Sequence, residues 1–281
     1  MEHSSTPPLF FDDRAAWDEK KDREALTGKA YLVGLLVVFA SSYSQYLVPG
    51  INLAARAFCI YGVSIIVISA LCGKSILRKA FRHTGTTLRL GLGFFGIFTF
   101  LGTAASVLIV DILLDLDPAA LNLLEKPVPV LHVPPEVASI MVWASLVVVG
   151  PCEEFIFRGF VFGGLLSLFG TRRWLVLALL SSILFASVHL YYALTYGIAS
   201  LVPFLDIVAV GMALAITYYL SGGNLLIPAL IHGVYDATGF MAVAVSSQVG
   251  LRLRGMLMVA GLIAAVTMVG RRRGERDATH P

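Results

Sequence analysis

The sequence predicts an all-α fold, a polytopic membrane helical bundle with about eight transmembrane helices. The first observation is composition: 57% of the 281 residues are hydrophobic and 14% are charged, whereas soluble domains carry about 25% charged residues. The second is length, because several apolar runs reach the roughly 20 residues that a helix needs to cross a bilayer. The third is the separation of these apolar runs by turns rich in glycine, proline or charged residues.

Each apolar run predicts one span. In chain order the runs are residues 30–48, 52–72, 90–114, 136–169, 174–192, 198–220, 225–245 and 251–269. Residues 115–135 hold five prolines and are predicted to form a loop. The basic stretch 74–89 carries Ile76, Leu77 and Phe81 at helical spacing, which predicts an amphipathic helix on the membrane surface.

The tails and loops predict the orientation in the membrane. Residues 1–29 are polar, with a short surface helix predicted over 12–26, and they contain no apolar segment typical of a cleaved signal peptide. Sixteen of the 21 Lys and Arg residues fall on one side of the eight-span arrangement and four on the other. The positive-inside rule therefore predicts that both termini are cytosolic. These basic residues lie in loops and tails, so the net charge of +3 does not predict nucleic-acid binding.

The centre of the chain is the stretch 151–159, which places charged side chains inside an apolar run. Glu154 and Arg158 are four residues apart, so on a helix they share a face and can pair. Glu153 is turned by about 100° and remains available for chemistry. Charged groups at membrane depth are costly and usually functional. The alternative is a buried ion pair that only holds helix register.

Other polar side chains are predicted to reach the same depth. Glu153 lies 18 residues before Thr171, at the turn between the fourth and fifth spans, and His189 lies 18 residues after it. In an antiparallel helix pair the two therefore come level. His232 and Asp236 are four apart and share a face of the seventh span. The three spans can thus bring their polar groups into one layer.

The chemistry predicted for this layer is peptide-bond hydrolysis by water. A carboxylate and a histidine can hold a water and remove its proton, and a second histidine can stabilise the oxyanion that forms. Glu, His and Asp also serve as zinc ligands, although the sequence has no H-E-x-x-H helix. We therefore predict no certain cofactor and leave zinc open, with Glu153, His189 and His232 as its candidate ligands.

The three cysteines and two further aspartates give less specific predictions. The cysteines Cys59, Cys72 and Cys152 form neither a disulfide framework nor a metal pattern. Cys152 adjoins Glu153, so a thiol nucleophile is considered, but a small buried side chain is favoured. For Asp111 and Asp206, which stand alone in their spans, pairing or solvation at a helix end is favoured over catalysis.

At these residues the chain resembles the CAAX protease and bacteriocin-processing (CPBP, or Abi) family of intramembrane proteases. It is similar to the type II CAAX prenyl endopeptidase. The family pattern of E-E-x-x-x-R, F-x-x-x-H and H-x-x-x-N/D corresponds here to Glu153-Glu154 with Arg158, Phe185 with His189, and His232 with Asp236. The three motifs occur in the family order, each in its own span, within residues 140–240.

The resemblance implies a role for each motif. Glu153 activates the water with the help of His189, while His232 and Asp236 stabilise the oxyanion. The candidate catalytic residues are therefore Glu153, Glu154, His189, His232 and Asp236, with Arg158 and Phe185 in support. Asp236 stands where eukaryotic members have asparagine, and an ionised carboxylate cannot donate a hydrogen bond. It is expected to orient or charge His232 instead, or to bind a metal.

The resemblance also suggests a division of the chain and a substrate. The parts are a cytosolic tail (1–29), N-terminal transmembrane helices with the amphipathic loop helix (30–136), a CPBP-type catalytic transmembrane core (137–245), and a last helix with a basic tail (246–281). The expected substrate is a peptide or lipidated protein in the bilayer. Two alternatives stay open, a proton-coupled transporter and a non-catalytic membrane immunity or binding protein.

Overall fold

The computed structural model describes residues 26–47, 57–81, 84–116, 134–189 and 191–279, and within these ranges every regular element is a helix. Eight helices have 14 residues or more, and α6 is a shorter one. The helices are α1 (Gly28–Leu47), α2 (Phe58–Lys79), α3 (Thr84–Leu116), α4 (Pro135–Phe169), α5 (Trp174–Ser187), α6 (Tyr191–Tyr196), α7 (Gly197–Leu220), α8 (Leu226–Ala244) and α9 (Ser247–Thr279). The predicted all-α fold is confirmed.

Six of the described helices are long and apolar enough to cross a membrane. They are α2, α3, α4, α7, α8 and α9. The apolar part of α1, Gly28–Ser44, is shorter. Large apolar side chains such as Leu36 and Trp143 point outward and are 70% and 69% exposed. Such apolar side chains are compatible with lipid hydrocarbon. A helix can cross the hydrocarbon because its backbone polar groups are hydrogen-bonded within the helix. The protein is therefore an integral, multi-pass membrane protein.

The helix in the fifth apolar run is shorter than the predicted span 174–192. Helix α5 ends at Ser187 after 14 residues, and the chain turns through Val188 and His189 before α6 begins. The His189 Nδ1 lies 3.1 Å from the carbonyl oxygen of Phe185, one of the last carbonyls of α5. A side chain that satisfies such a carbonyl allows a helix to end inside an apolar run.

The basic stretch 74–89 does not form the separate amphipathic helix that the sequence predicts. Its first part continues α2 to Lys79, and its last part, from Thr84, begins α3. Arg78 and Lys79 lie in the last turn of α2, where positive charge is favourable to the helix dipole. The predicted surface helix 12–26 falls almost entirely outside the described residues, as does the centre of the predicted loop 115–135.

Helices α4 and α8 cross with their backbones in contact. A Cβ on Gly150 of α4 would lie 2.5 Å from the carbonyl oxygen of Ala229, and a Cβ on Gly233 of α8 would lie 2.5 Å from that of Ser145. Small residues at such crossings let membrane helices approach closely. This crossing positions His232, the neighbour of Gly233, against the carboxylates of α4.

The crossing gives a first prediction. Gly233→Ala is expected to destabilise the protein by about 1–3 kcal/mol, because the added methyl group must push the two backbones apart. The measurement is thermal unfolding of the purified protein in detergent. Gly239→Ala is the matched control, since it lies on the same helix with no atom within 4 Å of its Cβ position. Equal melting temperatures for both variants would contradict the close crossing.

Candidate functional site

Helix α4 is locally wider on both sides of its two carboxylates. Residues Ser145–Val149 and Phe155–Phe162 form π-helical turns around the short α-helical stretch Gly150–Glu154. Pro151 has no backbone N–H to donate, which disturbs the regular bonding pattern. The Gly150 N–H bonds to the carbonyl of Ser145, five residues earlier. Such π-turns are frequent at functional sites, and here they set the direction of Glu153 and Glu154.

Glu154 is the buried anchor of the site. Its Oε1 atom accepts hydrogen bonds from Arg158 Nη1 and from His232 Nδ1, each at 2.8 Å. The side chains of Glu154 and Arg158 are 0% and 1% exposed. Arg158 Nη2 also donates to the carbonyl of Gly211 in α7 at 3.1 Å. The structure therefore has the Glu154–Arg158 pair that the spacing predicts, and the pair links α4 to α7 and α8.

Glu153 lies at the more open side of the same cluster. Its Oε2 atom is 3.5 Å from His232 Nε2, and Asp236 Oδ2 is also 3.5 Å from that nitrogen. The side chains of Glu153 and Asp236 are 12% and 28% exposed, compared with 4% for His232. Three carboxylates thus surround one imidazole: Glu154 at Nδ1, and Glu153 with Asp236 at Nε2. The arrangement can balance a proton on each ring nitrogen.

Phe185 connects the two histidines. Its ring centroid lies 5.2 Å from that of His189 and 5.5 Å from that of His232, with edge-on geometry in both cases. The Arg158 guanidinium carbon lies 4.7 Å from the same ring, at cation–π distance. With its Nδ1 directed at the Phe185 carbonyl, a neutral His189 has Nε2 as its acceptor nitrogen. The candidate residues of all three motifs are therefore brought together.

The sequence reasoning missed one residue of this cluster, Tyr61. Tyr61 lies in the π-turn Phe58–Gly62 at the start of α2. Its hydroxyl donates a hydrogen bond of 2.7 Å to Glu153 Oε1. The sequence does show a tyrosine inside an apolar run. Because a buried tyrosine hydroxyl usually has a hydrogen-bond partner, this position indicates a polar contact. That signal does not name the partner, which depends on how α2 packs against α4.

Of the two isolated aspartates, Asp206 is paired, as favoured from the sequence. Asp206 accepts a hydrogen bond from the hydroxyl of Tyr235 and lies 3.9 Å from Arg254 Nη1. Asp111 is exposed on α3. The three cysteines are free thiols, and Cys152 is half-buried.

The candidate zinc ligands are residues of this same cluster. Within the described ranges, no group of three or more His, Cys, Asp and Glu side chains has an arrangement that could hold a metal ion. The candidate set Glu153, His189 and His232 is thus not brought together as a zinc site in this structure, and no step below passes through a metal.

The fold and the site together define a class: an integral, multi-pass membrane protein with a buried centre of carboxylates and histidines. Residues 135–238 match the family model of type II CAAX prenyl endopeptidase Rce1-like proteins. This segment of the chain is therefore an Rce1-like CAAX protease domain, and its family indicates a peptidase with a peptide substrate. The comparisons with curated proteins and with solved structures gave no match.

Proposed function

We propose that this protein is an intramembrane endopeptidase that hydrolyses a peptide bond in a membrane-anchored or lipid-modified, CAAX-like substrate. The family match to residues 135–238 supports the reaction class. The observation that carries the proposal is the position of Glu153 Oε2, 3.5 Å from His232 Nε2 at the open side of an otherwise buried cluster. A carboxylate and an imidazole at this separation can act on the same water and the same carbonyl group.

The proposed mechanism uses side chains and water. Glu153 takes a proton from a water molecule, with the help of His189, and the hydroxide oxygen attacks the carbonyl carbon. The His232 Nε2–H donates to the oxyanion as it forms. Glu153 then returns the proton to the leaving amine as the C–N bond breaks. The products are a free carboxylate and a free amine, so the reaction consumes one water.

The remaining charged groups hold His232 in place. Glu154 accepts from His232 Nδ1 at 2.8 Å and is itself paired with Arg158. This contact fixes the ring and directs Nε2 toward the reacting carbonyl. Asp236, 3.5 Å from Nε2, supplies negative charge that favours a proton on this nitrogen. In this role Asp236 does not need to donate a hydrogen bond itself.

The test is cleavage by the purified protein in liposomes. A peptide library, with some members prenylated at a C-terminal cysteine, is incubated with the wild-type protein, and products are identified by mass spectrometry. A zinc chelator in parallel samples tests the metal requirement. Newly formed carboxylate and amine termini support the endopeptidase. No cleavage of any peptide would favour the transporter or the immunity protein.

Cys152 provides a second prediction about the mechanism. Cys152→Ala is expected to keep its rate of cleavage within about twofold of wild type, because the attacking group is water and the thiol is not needed. The measurement is kcat/KM on a cleaved peptide from the library. A loss of more than about 100-fold would instead indicate a thiol nucleophile.

We also propose that both termini face the cytosol, on the basis of the unequal distribution of Lys and Arg between the two sides. Reporter fusions at the C-terminus, one active only in the cytosol and one active only outside it, test the orientation. Activity of the external reporter alone would reverse it.

A further inference from the structure

The general base of the proposed reaction is held by a helix outside the matched domain. Tyr61 belongs to α2, whereas the Rce1-like domain covers residues 135–238. The Tyr61 hydroxyl donates to Glu153 Oε1 at 2.7 Å, a distance typical of a hydrogen bond from a hydroxyl to a carboxylate. Of the two oxygens of Glu153, one is thus occupied by a donor from another helix.

The second oxygen has a different environment. Glu153 Oε2 lies 3.5 Å from His232 Nε2, on the side where the partly exposed Asp236 also lies. A glutamate side chain has three rotatable bonds, and it loses this freedom only when contacts hold it. The hydrogen bond from Tyr61 therefore selects one orientation, in which Oε1 is bound and Oε2 is presented to the water.

The position of Tyr61 is itself fixed by packing. Its ring packs against the main buried core. Further along α2, the side chain of Ile76 lies so close to α4 that a Cβ on Gly159 would be 2.7 Å from it. Gly73 of α2 likewise faces the ring of Phe155. Helix α2 thus packs against α4 at Gly73 and Ile76 as well as at Tyr61.

We infer that Tyr61 is a positioning residue for Glu153: its hydroxyl holds Oε1, so that Oε2 is directed to accept the proton of the attacking water. The inference rests on the proposed function for its effect on catalysis. The contact itself has a consequence that can be measured without any substrate. A donor to a carboxylate stabilises the ionised form, so its removal increases the protonated fraction.

Tyr61→Phe tests the inference, because it removes the hydroxyl and keeps the ring. Its kcat is expected to fall by about 10–100-fold, because Glu153 loses the contact that orients it. KM should stay within about twofold of wild type, since the ground-state contacts of the substrate do not change. Tyr31→Phe is the matched control. It removes a buried tyrosine hydroxyl that donates to the carbonyl of Val161, also on α4, at 3.0 Å, and its kcat is expected to remain near wild type.

The second readout is the reaction of Glu153 with dicyclohexylcarbodiimide, which modifies protonated carboxyl groups in apolar surroundings. Mass spectrometry locates the product, and Glu153→Gln gives the background. At neutral pH the labelling rate of Glu153 is expected to rise about tenfold in Tyr61→Phe, the factor that a hydrogen bond to a charged group is worth. It is expected to stay unchanged in Tyr31→Phe.

The outcomes separate this inference from the proposed function. Unchanged labelling of Glu153 in Tyr61→Phe overturns the inference, and so does unchanged kcat in a protein that cleaves peptides. Increased labelling in a protein that cleaves no peptide supports the Tyr61–Glu153 coupling and rejects the endopeptidase. Increased labelling together with reduced kcat and constant KM supports both.

Discussion

Glu153→Gln is expected to lower kcat for peptide cleavage by about 10²–10⁴-fold, the usual contribution of a general base. The amide has the size and shape of the carboxylate, and its oxygen can still accept the hydrogen bond from Tyr61 that Glu153 accepts at 2.7 Å. It cannot take a proton from water. The loss should therefore appear in the chemical step, with little change in peptide binding or in the melting temperature.

The experiment compares kcat, KM and thermal unfolding for the variant and the wild type. Glu136→Gln is the control, because Glu136 lies in the first turn of α4 and is exposed. Its activity should remain near wild type. If Glu153→Gln keeps a third or more of the wild-type kcat, Glu153 is not the base, and a role in packing would be left for it.

Arg158→Met is expected to have the largest effect on stability, a loss of about 3–5 kcal/mol. The substitution leaves the carboxylate of Glu154 in a position with 0% exposure and without its arginine partner. The hydrogen bond from Arg158 to the carbonyl of Gly211 is also lost. His232 remains as a partner of Glu154, but one imidazole then has to balance three carboxylates.

The measurement is denaturant-induced unfolding in mixed micelles. The double variant Glu154→Gln/Arg158→Met should be more stable than Arg158→Met alone, because no buried carboxylate is then left without its arginine. Arg172→Met is the control for the loss of a positive charge at the exposed turn after α4, and it should change stability by less than about 0.5 kcal/mol. If Arg158→Met is no less stable than Arg172→Met, the buried pair is not a structural anchor.

The class of fold could be predicted from the sequence because each membrane helix satisfies its own backbone and carries its own apolar signal. The contact of Glu154 with Arg158 could also be predicted, because two residues four apart on one helix have neighbouring side chains. The prediction that His189 and Glu153 lie at the same depth depends on a continuous helix through the fifth span. In the structure α5 ends at Ser187, and His189 joins the cluster beside Phe185.

The contacts between helices could not be read from the sequence in the same way. Nothing in the local pattern around Tyr61 indicates that it meets Glu153, 92 residues later. The contact between His232 and Glu154 is equally remote. Such contacts depend on which helix faces pack together. The contact of His232 with Glu154 lies at the close approach of α4 and α8 at Gly150 and Gly233. The catalytic roles of the motif residues remain predictions.

The pairing within α4 also bears on how the chain enters the membrane during synthesis. The histidine partner of Glu154 follows 78 residues later in the sequence, so α4 is synthesised well before α8. Arg158 is only one helical turn from Glu154 and can neutralise it as soon as the helix forms. This pair can therefore enter the bilayer without net charge, and Glu153 is the one carboxylate of the motif that Arg158 does not pair with. For Glu154, the costly transfer of an unpaired charge into hydrocarbon is avoided before His232 has been synthesised.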